Sequence, residues 1–315
     1  MPHVIIAGAI HDSGIKLIKK RQDFTFTYLP ENGDLSYKDL ILDADALVLR
    51  TQRLNNQDII PCKKLKIVSR HGVGYDSVDV EALSKNNIVL TIVGDVNSQS
   101  VAEHSMALIL AAFKRLIRND EAVRVGPWNY KEKLEPEELR NKTLLIIGYG
   151  RVGRRLAKMA YGFDMKVVAY DPFVDHADWP EGPALKIVDL KSALETSHCI
   201  SLNLPKLTNP IIKEEEFLIM KEGMVIINTA RGGLIDEKAL INALETGKVA
   251  AAGLDVFDQE PPLLESPFAK FKQVVLSPHA AGLSSEAAEG MAISSIQNVL
   301  DYFDGNLESH FIVNK

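Results

Sequence analysis

The sequence is nearly empty of cysteine. Cys62 and Cys199 are its only two, and neither stands in a C-x-x-C pair. That pattern argues against a disulfide framework, a thiol redox pair and a cysteine zinc site, and a reducing, cytoplasmic setting is expected. No apolar run is long enough to span a bilayer, and the opening MPHVIIAGAIHDSG lacks the basic start and long apolar centre of a secretion signal. There is no surplus of positive charge: Lys+Arg total 36 against 42 Asp+Glu, a net −6. A nucleic acid backbone therefore finds no basic field to hold it, and the pair Lys63-Lys64 reads as solvated surface. His3, His11, His176, His198 and His310 show no metal-ligand spacing, so no metal is expected. Repeats and low-complexity segments are also missing.

What is present is the alternation of an α/β protein. In 315 residues there is room for two domains. VIIAG (4–8), DALVLR (45–50), LKIVSR (65–70) and IVLTIV (88–93) read as buried strands, separated by helical stretches such as 13–20 and 78–85. That rhythm predicts a parallel sheet with helices on both faces. The stretch 101–125, VAEHSMALILAAFKRLIRNDEAVRV, then reads as one long helix, apolar on most sides in its first half. A polar connection (126–142) follows. A second series of strands comes next: TLLIIG (143–148), KVVAYD (166–171), ALKIV (184–188), CISLNLP (199–205), MVIINTA (224–230), AAAGLDVF (250–257) and QVVLSP (273–278). A final amphipathic helix at 284–303 is inferred to cross back to the first unit, which makes that domain discontinuous. The expected boundaries are 1–98 with 285–315 for one domain and 99–284 for the other.

TLLIIG runs directly into Gly148-Tyr149-Gly150-Arg151-Val152-Gly153, and RRLAKMAYGF continues as a helix. This is G-x-G-x-x-G between a strand and a helix, the context in which it binds dinucleotides. Gly148 makes the tight turn, Gly150 lets the backbone approach a pyrophosphate, and Gly153 lets helix and strand pack closely. The phosphates then meet free N–H groups and the positive end of the helix dipole. A P-loop would need Lys and then Ser or Thr after Gly153, and Arg154-Arg155 stand there instead. Asp171 ends the next strand, roughly 20 residues past Gly150, where an acid binds a ribose 2′-hydroxyl and repels a 2′-phosphate. NAD is therefore favoured over NADP.

A second glycine turn, HGVGYDSVD (71–79), carries Gly72 and Gly74 but Ser77 where a third glycine would fall. It reads either as a small-anion nest of backbone N–H groups or as a plain tight turn. Three polar residues follow strand ends in the second series: Arg231, Glu260 and His279. Ligands of open α/β sheets bind outside those ends. A histidine near neutrality can take and give a proton, a carboxylate beside it would fix its tautomer, and an arginine can clamp a carboxylate. Spacing alone equally allows three unrelated loop residues, because geometry defines such a site.

GYGRVG, NTARGGLIDEKAL, AAGLDVFDQEPP and SPHAAGLSSEA, in that order, resemble the signatures of the D-isomer-specific 2-hydroxyacid dehydrogenases. HGVGYDSVD and SVAEH resemble that family's first-domain loop and the start of its interdomain helix. The resemblance, to members like the phosphoglycerate dehydrogenases and hydroxypyruvate reductases, runs nearly end to end. It implies a flavodoxin-like substrate domain, discontinuous in sequence, and a Rossmann NAD-binding domain. By resemblance, Arg231 holds the substrate carboxylate and carbonyl, His279 is the acid/base, and Glu260 pairs with it. The turn His71, Gly72, Val73 and Gly74 offers contacts to the substrate, and Arg50 matches a position that can touch it. Arg151 and Val152 lie at the pyrophosphate, Asp171 at the ribose, and Leu204 and Pro205 near the adenine. Thr229, Ala230 and Asp255 face the nicotinamide, and Gly282 is counted with them. His104 in SVAEH reads as a helix or interface residue. The resemblance ends at Lys315 without the C-terminal regulatory extension of many phosphoglycerate dehydrogenases, so feedback through such a domain is not expected. It implies hydride transfer between NAD(H) and a small 2-hydroxy or 2-keto acid, and a homodimer. An NADH-responsive corepressor-like binding protein is the alternative.

Overall fold

The computed structural model describes residues 1–30, 37–174, 178–262 and 266–314. In chain order it begins β1 (His3–Ala7), α1 (Asp12–Lys19), β2 (Thr25–Leu29), α2 (Tyr37–Leu40), β3 (Ala46–Leu49), α3 (Asn56–Ile59), β4 (Ile67–Arg70), α4 (Val80–Lys85) and β5 (Val89–Thr91). There follow α5 (Ser98–Phe113), α6 (Leu116–Arg124), β6 (Thr143–Ile147), α7 (Arg151–Gly162), β7 (Lys166–Tyr170), β8 (Leu185–Ile187), α8 (Leu190–Thr196) and β9 (Cys199–Leu202). The series closes with α9 (Glu214–Ile219), β10 (Met224–Asn228), α10 (Glu237–Thr246), β11 (Val249–Leu254), β12 (Val274–Leu276) and α11 (Ser285–Asp304). The chain divides into two units, Met1–Asn97 with Leu283–Lys315, and Ser98–Gly282.

The first unit is a five-stranded sheet in the order β2-β1-β3-β4-β5, with every pair parallel. Strands β1, β3 and β4 are apolar on both faces because both are covered. Ile5, Leu47 and Val68 pack towards Ile59 and Leu83. Val4, Ile6, Val48 and Ile67 pack towards Ile18 of α1 and Ala292, Ile296 and Val299 of α11. Helices α1 and α11 meet so closely that a Cβ on Gly14 would lie 2.8 Å from the Ala292 carbonyl oxygen. The free edge of β5 is covered by the chain's own tail. Ile92 N–H donates to Phe311 O (3.0 Å), Val313 N–H to Leu90 O (2.9 Å) and Leu90 N–H to the Asn314 side chain (2.6 Å). Such a cover removes an unpaired strand edge.

The second unit is a seven-stranded parallel sheet in the order β12-β11-β10-β9-β6-β7-β8. Its strands are the seven read from the sequence. The chain runs outward from β6 through β7 to β8, then restarts on the other side with β9, so the switch point lies between β6 and β9. In the first unit it lies between β1 and β3.

Three elements differ from expectation. Strand β2, TFTYL, was not foreseen. It is an edge strand, mostly half-buried, and its alternation of threonine with aromatics makes no apolar run. The helix expected over 101–125 is two. Arg115 adopts φ +50°, and its guanidinium donates to Ala112 O (3.0 Å), closing the end of α5 before α6 begins. The helix expected from 78 starts at Val80, because Asp79 caps it by accepting from Ala82 N–H at 2.9 Å. Among the described residues no helix is long and apolar enough to cross a membrane. Among the same residues no group of three or more His, Cys, Asp or Glu is placed to hold a metal ion. His176 lies outside them.

Candidate active site

In the second unit the glycine turn sits at the switch point. Gly148 has φ +95°, and a Cβ there would lie 2.5 Å from Asn203 O. A Cβ on Gly153 would run into the carbonyl oxygen of Gly148. Both positions are closed by backbone. Gly150 differs: a Cβ there would meet nothing within 4 Å, so the space over the turn is open. Gly150 is also the N-cap of α7 and gives no side-chain cap. The first N–H groups of the helix, at Arg151 and Val152, therefore keep their capacity for an anion. Asp171 follows β7, and its two oxygens accept from Tyr149 N–H (2.9 Å) and Phe173 N–H (3.0 Å). Leu204 packs at the turn, its Cδ2 3.0 Å from the same Gly148 position, and Pro205 follows it exposed. These features fit a dinucleotide: an open cradle, an uncapped helix and an acid fastened beside them.

Three loops at the ends of β10, β11 and β12 carry the polar groups. After β10, the Asn228 side chain spans its own loop, accepting from Ala230 N–H (3.1 Å) and donating to Arg231 O (2.9 Å). Thr229 is buried with its hydroxyl 2.7 Å from Ser105 Oγ. The Arg231 guanidinium donates to Ala230 O at 2.6 Å. The loop passes so close to the next that a Cβ on Gly232 would overlap Phe257 O. Gly233 N–H donates to Asp258 Oδ1 (2.6 Å), fastening the two together.

After β12, His279 sits at φ +51°, a left-handed conformation that costs a non-glycine residue about 1–2 kcal/mol. Its N–H donates to Asp255 O (2.8 Å). Its Nδ1 lies 2.6 Å from Glu260 Oε2, and Glu260 Oε1 accepts from Phe257 N–H at 3.0 Å. An ionised carboxylate can only accept, so Nδ1 carries a proton and Nε2 is the nitrogen left for a ligand. The Glu260 hydrogen bond raises His279 above the ordinary histidine value, against burial and the positive charge of Arg231. Burial pushes Glu260 up, but hydrogen bonds from His279 and Phe257 N–H outweigh it and hold the carboxyl below its usual range. The resemblance puts Asp255 at the nicotinamide. It is fully buried, and its observed partners are the protein's own: Ser277 Oγ (2.6 Å), Ala280 N–H (2.8 Å) and Ala281 N–H (2.9 Å). Gly282 is the last residue of this unit.

In the first unit, Arg50 follows β3 at that sheet's switch point, with its Cβ 2.7 Å from where one on Gly8 would stand. His71 follows β4. It is buried, and its Nε2 has no hydrogen-bond partner among the described residues. Burial, with repulsion from Arg50, pushes its imidazole down to about 4, so it is neutral at neutral pH. Gly72 has φ +156°, and Val73 packs with Val93 and Met291. The 72–74 turn is held from behind by Arg70, a residue not singled out in the sequence. Its Nε donates to Gly74 O (2.9 Å) and its Nη1 to Leu49 O (2.8 Å). An arginine closing a strand just before a glycine turn was the available signal.

Residues 106–281 match the model of a family described as D-isomer specific 2-hydroxyacid dehydrogenase, NAD binding domain. The chain is 37% identical over 326 residues to a glyoxylate reductase of Thermococcus litoralis, covering 100% of this chain and 97% of that one. It is 37% identical over 291 residues to a D-3-phosphoglycerate dehydrogenase of Archaeoglobus fulgidus, covering 88% of this chain and 55% of that one. The chain thus spans about half the length of the phosphoglycerate dehydrogenases it resembles. Among solved structures, D-lactate dehydrogenase from Aquifex aeolicus, complexed with NAD and lactic acid, superposes with a TM-score of 0.86 at 27% identity, over 99% of both chains.

The three glycines of the turn separate by experiment. Gly150→Ala meets open space, so its thermal unfolding should match the parent while NADH affinity, read by fluorescence titration, falls about tenfold or more through loss of phosphate approach. Gly153→Ala should instead lower the unfolding temperature. Equal stability and equal NADH affinity in Gly150→Ala would remove the turn from the cofactor site.

Proposed function

The chain belongs to the D-isomer specific 2-hydroxyacid dehydrogenase family, and on that premise we propose that it transfers a hydride between NAD(H) and a small D-2-hydroxy or 2-keto acid. The observation that carries the reading is the 2.6 Å contact between His279 Nδ1 and Glu260, on loops fastened to the one bearing Arg231. The nicotinamide of the bound cofactor gives or takes the hydride. The turn at Gly148, Gly150, Arg151, Val152 and Gly153 holds the pyrophosphate, and Asp171 the ribose. Leu204 and Pro205 border the adenine, and Thr229, Ala230, Asp255 and Gly282 border the nicotinamide. NAD is preferred to NADP because the Asp171 carboxylate, fixed at the turn, repels a 2′-phosphate. The Arg231 guanidinium receives the substrate carboxylate. His279 gives its Nε2 proton to the forming hydroxyl during reduction and takes it back during oxidation, while Nδ1–H stays with Glu260. The family resemblance also assigns substrate contacts within the first unit, to Arg50, neutral His71 and the backbone N–H groups of Gly72, Val73 and Gly74. Proposed substrates are 3-phosphoglycerate or the glycerate/hydroxypyruvate pair, with glyoxylate the smallest of the class.

A panel of 2-keto acids mixed with the protein and NADH or NADPH in parallel tests this reading. Oxidation of NADH in preference to NADPH, by at least one acid of the panel, is expected. His279→Ala should reduce kcat by roughly 10²–10⁴-fold, the usual size of an acid–base contribution. Tight NADH binding with no turnover on any acid would overturn the reading.

The pH dependence follows from the Glu260 contact. A raised imidazole keeps its proton to higher pH, so the proton-donating form used in reduction survives further into the alkaline range. Glu260→Gln removes the charge that raises it. The alkaline limb of the reduction profile should then move to lower pH. An unmoved limb, measured as kcat against pH, would show that Glu260 does not tune His279.

We also propose that the protein is a homodimer. Leu116, Ile117, Val123, Val125, Trp128 and Leu134 lie exposed on α6 and the segment after it. So many exposed apolar side chains in one short stretch of chain are best covered by a second copy. Sedimentation of the purified protein should give twice the chain mass, and a monomer at micromolar concentration would refute it.

A further inference from the structure

The first half of helix α5 carries three polar side chains, Ser100 and His104 one turn apart and Ser105 directly after His104. Each of the three reaches a loop at a strand end. Ser100 Oγ donates to Ala281 O at 2.7 Å. His104 Nε2 lies 2.9 Å from Ser277 Oγ. Ser105 Oγ lies 2.7 Å from Thr229 Oγ1, two residues before Arg231.

The protons on this network can be assigned. Asp255 is fully buried and already accepts from Ala280 N–H and Ala281 N–H, so its carboxylate acts only as an acceptor. Ser277 has one hydroxyl proton, and at 2.6 Å from Asp255 Oδ1 that proton goes to the carboxylate. Ser277 Oγ is left with lone pairs for His104. The His104 Nε2 must therefore be a donor, which fixes the ring tautomer. The chain of donation runs His104 Nε2–H to Ser277 O–H to Asp255, and Asp255 in turn holds two N–H groups of the turn. His279 lies inside that turn at φ +51°, a conformation an L residue leaves when nothing holds it. Its own N–H is held by Asp255 O (2.8 Å) and Ser277 O (3.1 Å), carbonyls of the two residues that His104 ties together.

We propose that His104 is a positioning residue for His279: acting through Ser277 and Asp255, it fixes the turn that points the His279 ring between Glu260 and the substrate. Ser100 holds the far end of the same turn, and Ser105 ties the Arg231 loop to the same helix. One helix face thus sets the spacing between a proton carrier and a carboxylate clamp. The proposal rests on the dehydrogenase reading for the role of His279, and its test separates the two.

The variants are His104→Leu, His104→Gln and Ser277→Ala in the full chain. Histidine labelled with ¹⁵N reports the His279 Nδ1–H resonance, which is shifted far downfield by a short bond to a carboxylate and which Glu260→Gln identifies. Thermal unfolding and steady-state reduction complete the set. His104→Leu and Ser277→Ala should lose about tenfold or more in kcat with KM changed less than about threefold, the pattern of a misplaced reacting group rather than lost binding. In both, the resonance should move upfield or broaden. His104→Gln keeps an N–H donor for Ser277 and should recover both readouts. Unchanged kcat and unchanged resonance in His104→Leu would overturn the proposal. So would a loss that His104→Gln fails to recover while unfolding normally. If the parent protein reduces no 2-keto acid, the dehydrogenase reading fails, and the resonance alone then decides the link between His104 and His279.

Discussion

An ionised carboxylate taken out of water loses several kcal/mol of solvation unless donors replace it. Asp255 has no exposed surface, and the donors it needs come from the 277–281 turn. The turn cannot satisfy Asp255 without folding back over it, and folding back is what forces His279 into its left-handed conformation. The imidazole then comes within 2.6 Å of Glu260. Glu260 is itself steered by Phe257 N–H, on the segment that leaves Gly232 no room for a side chain. A buried charge thus organises three loops that are distant in sequence. Buried polar networks of this kind are costly when half satisfied, and here each oxygen of the acid has a partner.

The two histidines singled out by the sequence show how surroundings divide one side chain into opposite behaviours. His71 is enclosed and near Arg50, so its charged form is disfavoured and it sits at about 4. His279 has a carboxylate on its ring and shifts the other way. Burial acts on both. At His71 burial is the larger cause of the downward shift and Arg50 adds to it, whereas at His279 the hydrogen bond to Glu260 outweighs burial. A neutral ring can serve as a fixed hydrogen-bonding surface. A ring whose charged form is favoured can hold a proton and hand it on, which is the distinction acid–base chemistry requires.

Much of this was legible in the chain itself. The interior strands of the second sheet could be read because parallel strands covered on both faces are apolar on both, as in Cys199–Leu202 and Met224–Asn228, and its edge strands β8 and β12 because ALKIV and QVVLSP are still largely apolar runs. The glycine turn was legible because glycine appears where a side chain cannot go. The edge strand Thr25–Leu29 was not, since an edge is only partly buried and its residues need not be apolar. The break at Arg115 was hidden because the cap comes from that residue's own side chain folding back, in a segment that keeps a helical composition. Arg70 was not singled out although it closes a strand just before a glycine turn, and His104 was read as a helix or interface residue. The partner of His104 is a serine 173 residues away, and no local pattern marks a contact that only tertiary folding creates.

The first unit is assembled from the two ends of the chain, and this has a consequence for its synthesis. Val4, Ile6, Val48 and Ile67 share a core with Ile296 and Val299 of α11, yet the whole of the second unit is encoded between them. As the chain leaves the ribosome, the first sheet emerges with one apolar face only partly covered, by α1. At roughly 5–20 residues per second the intervening stretch keeps it so for about 10–40 seconds. The second unit, continuous in sequence, can close in that interval. The usual order of vectorial folding is then inverted: of the two units, the one begun first is completed last, and its exposed face must be shielded or kept loosely folded until α11 arrives.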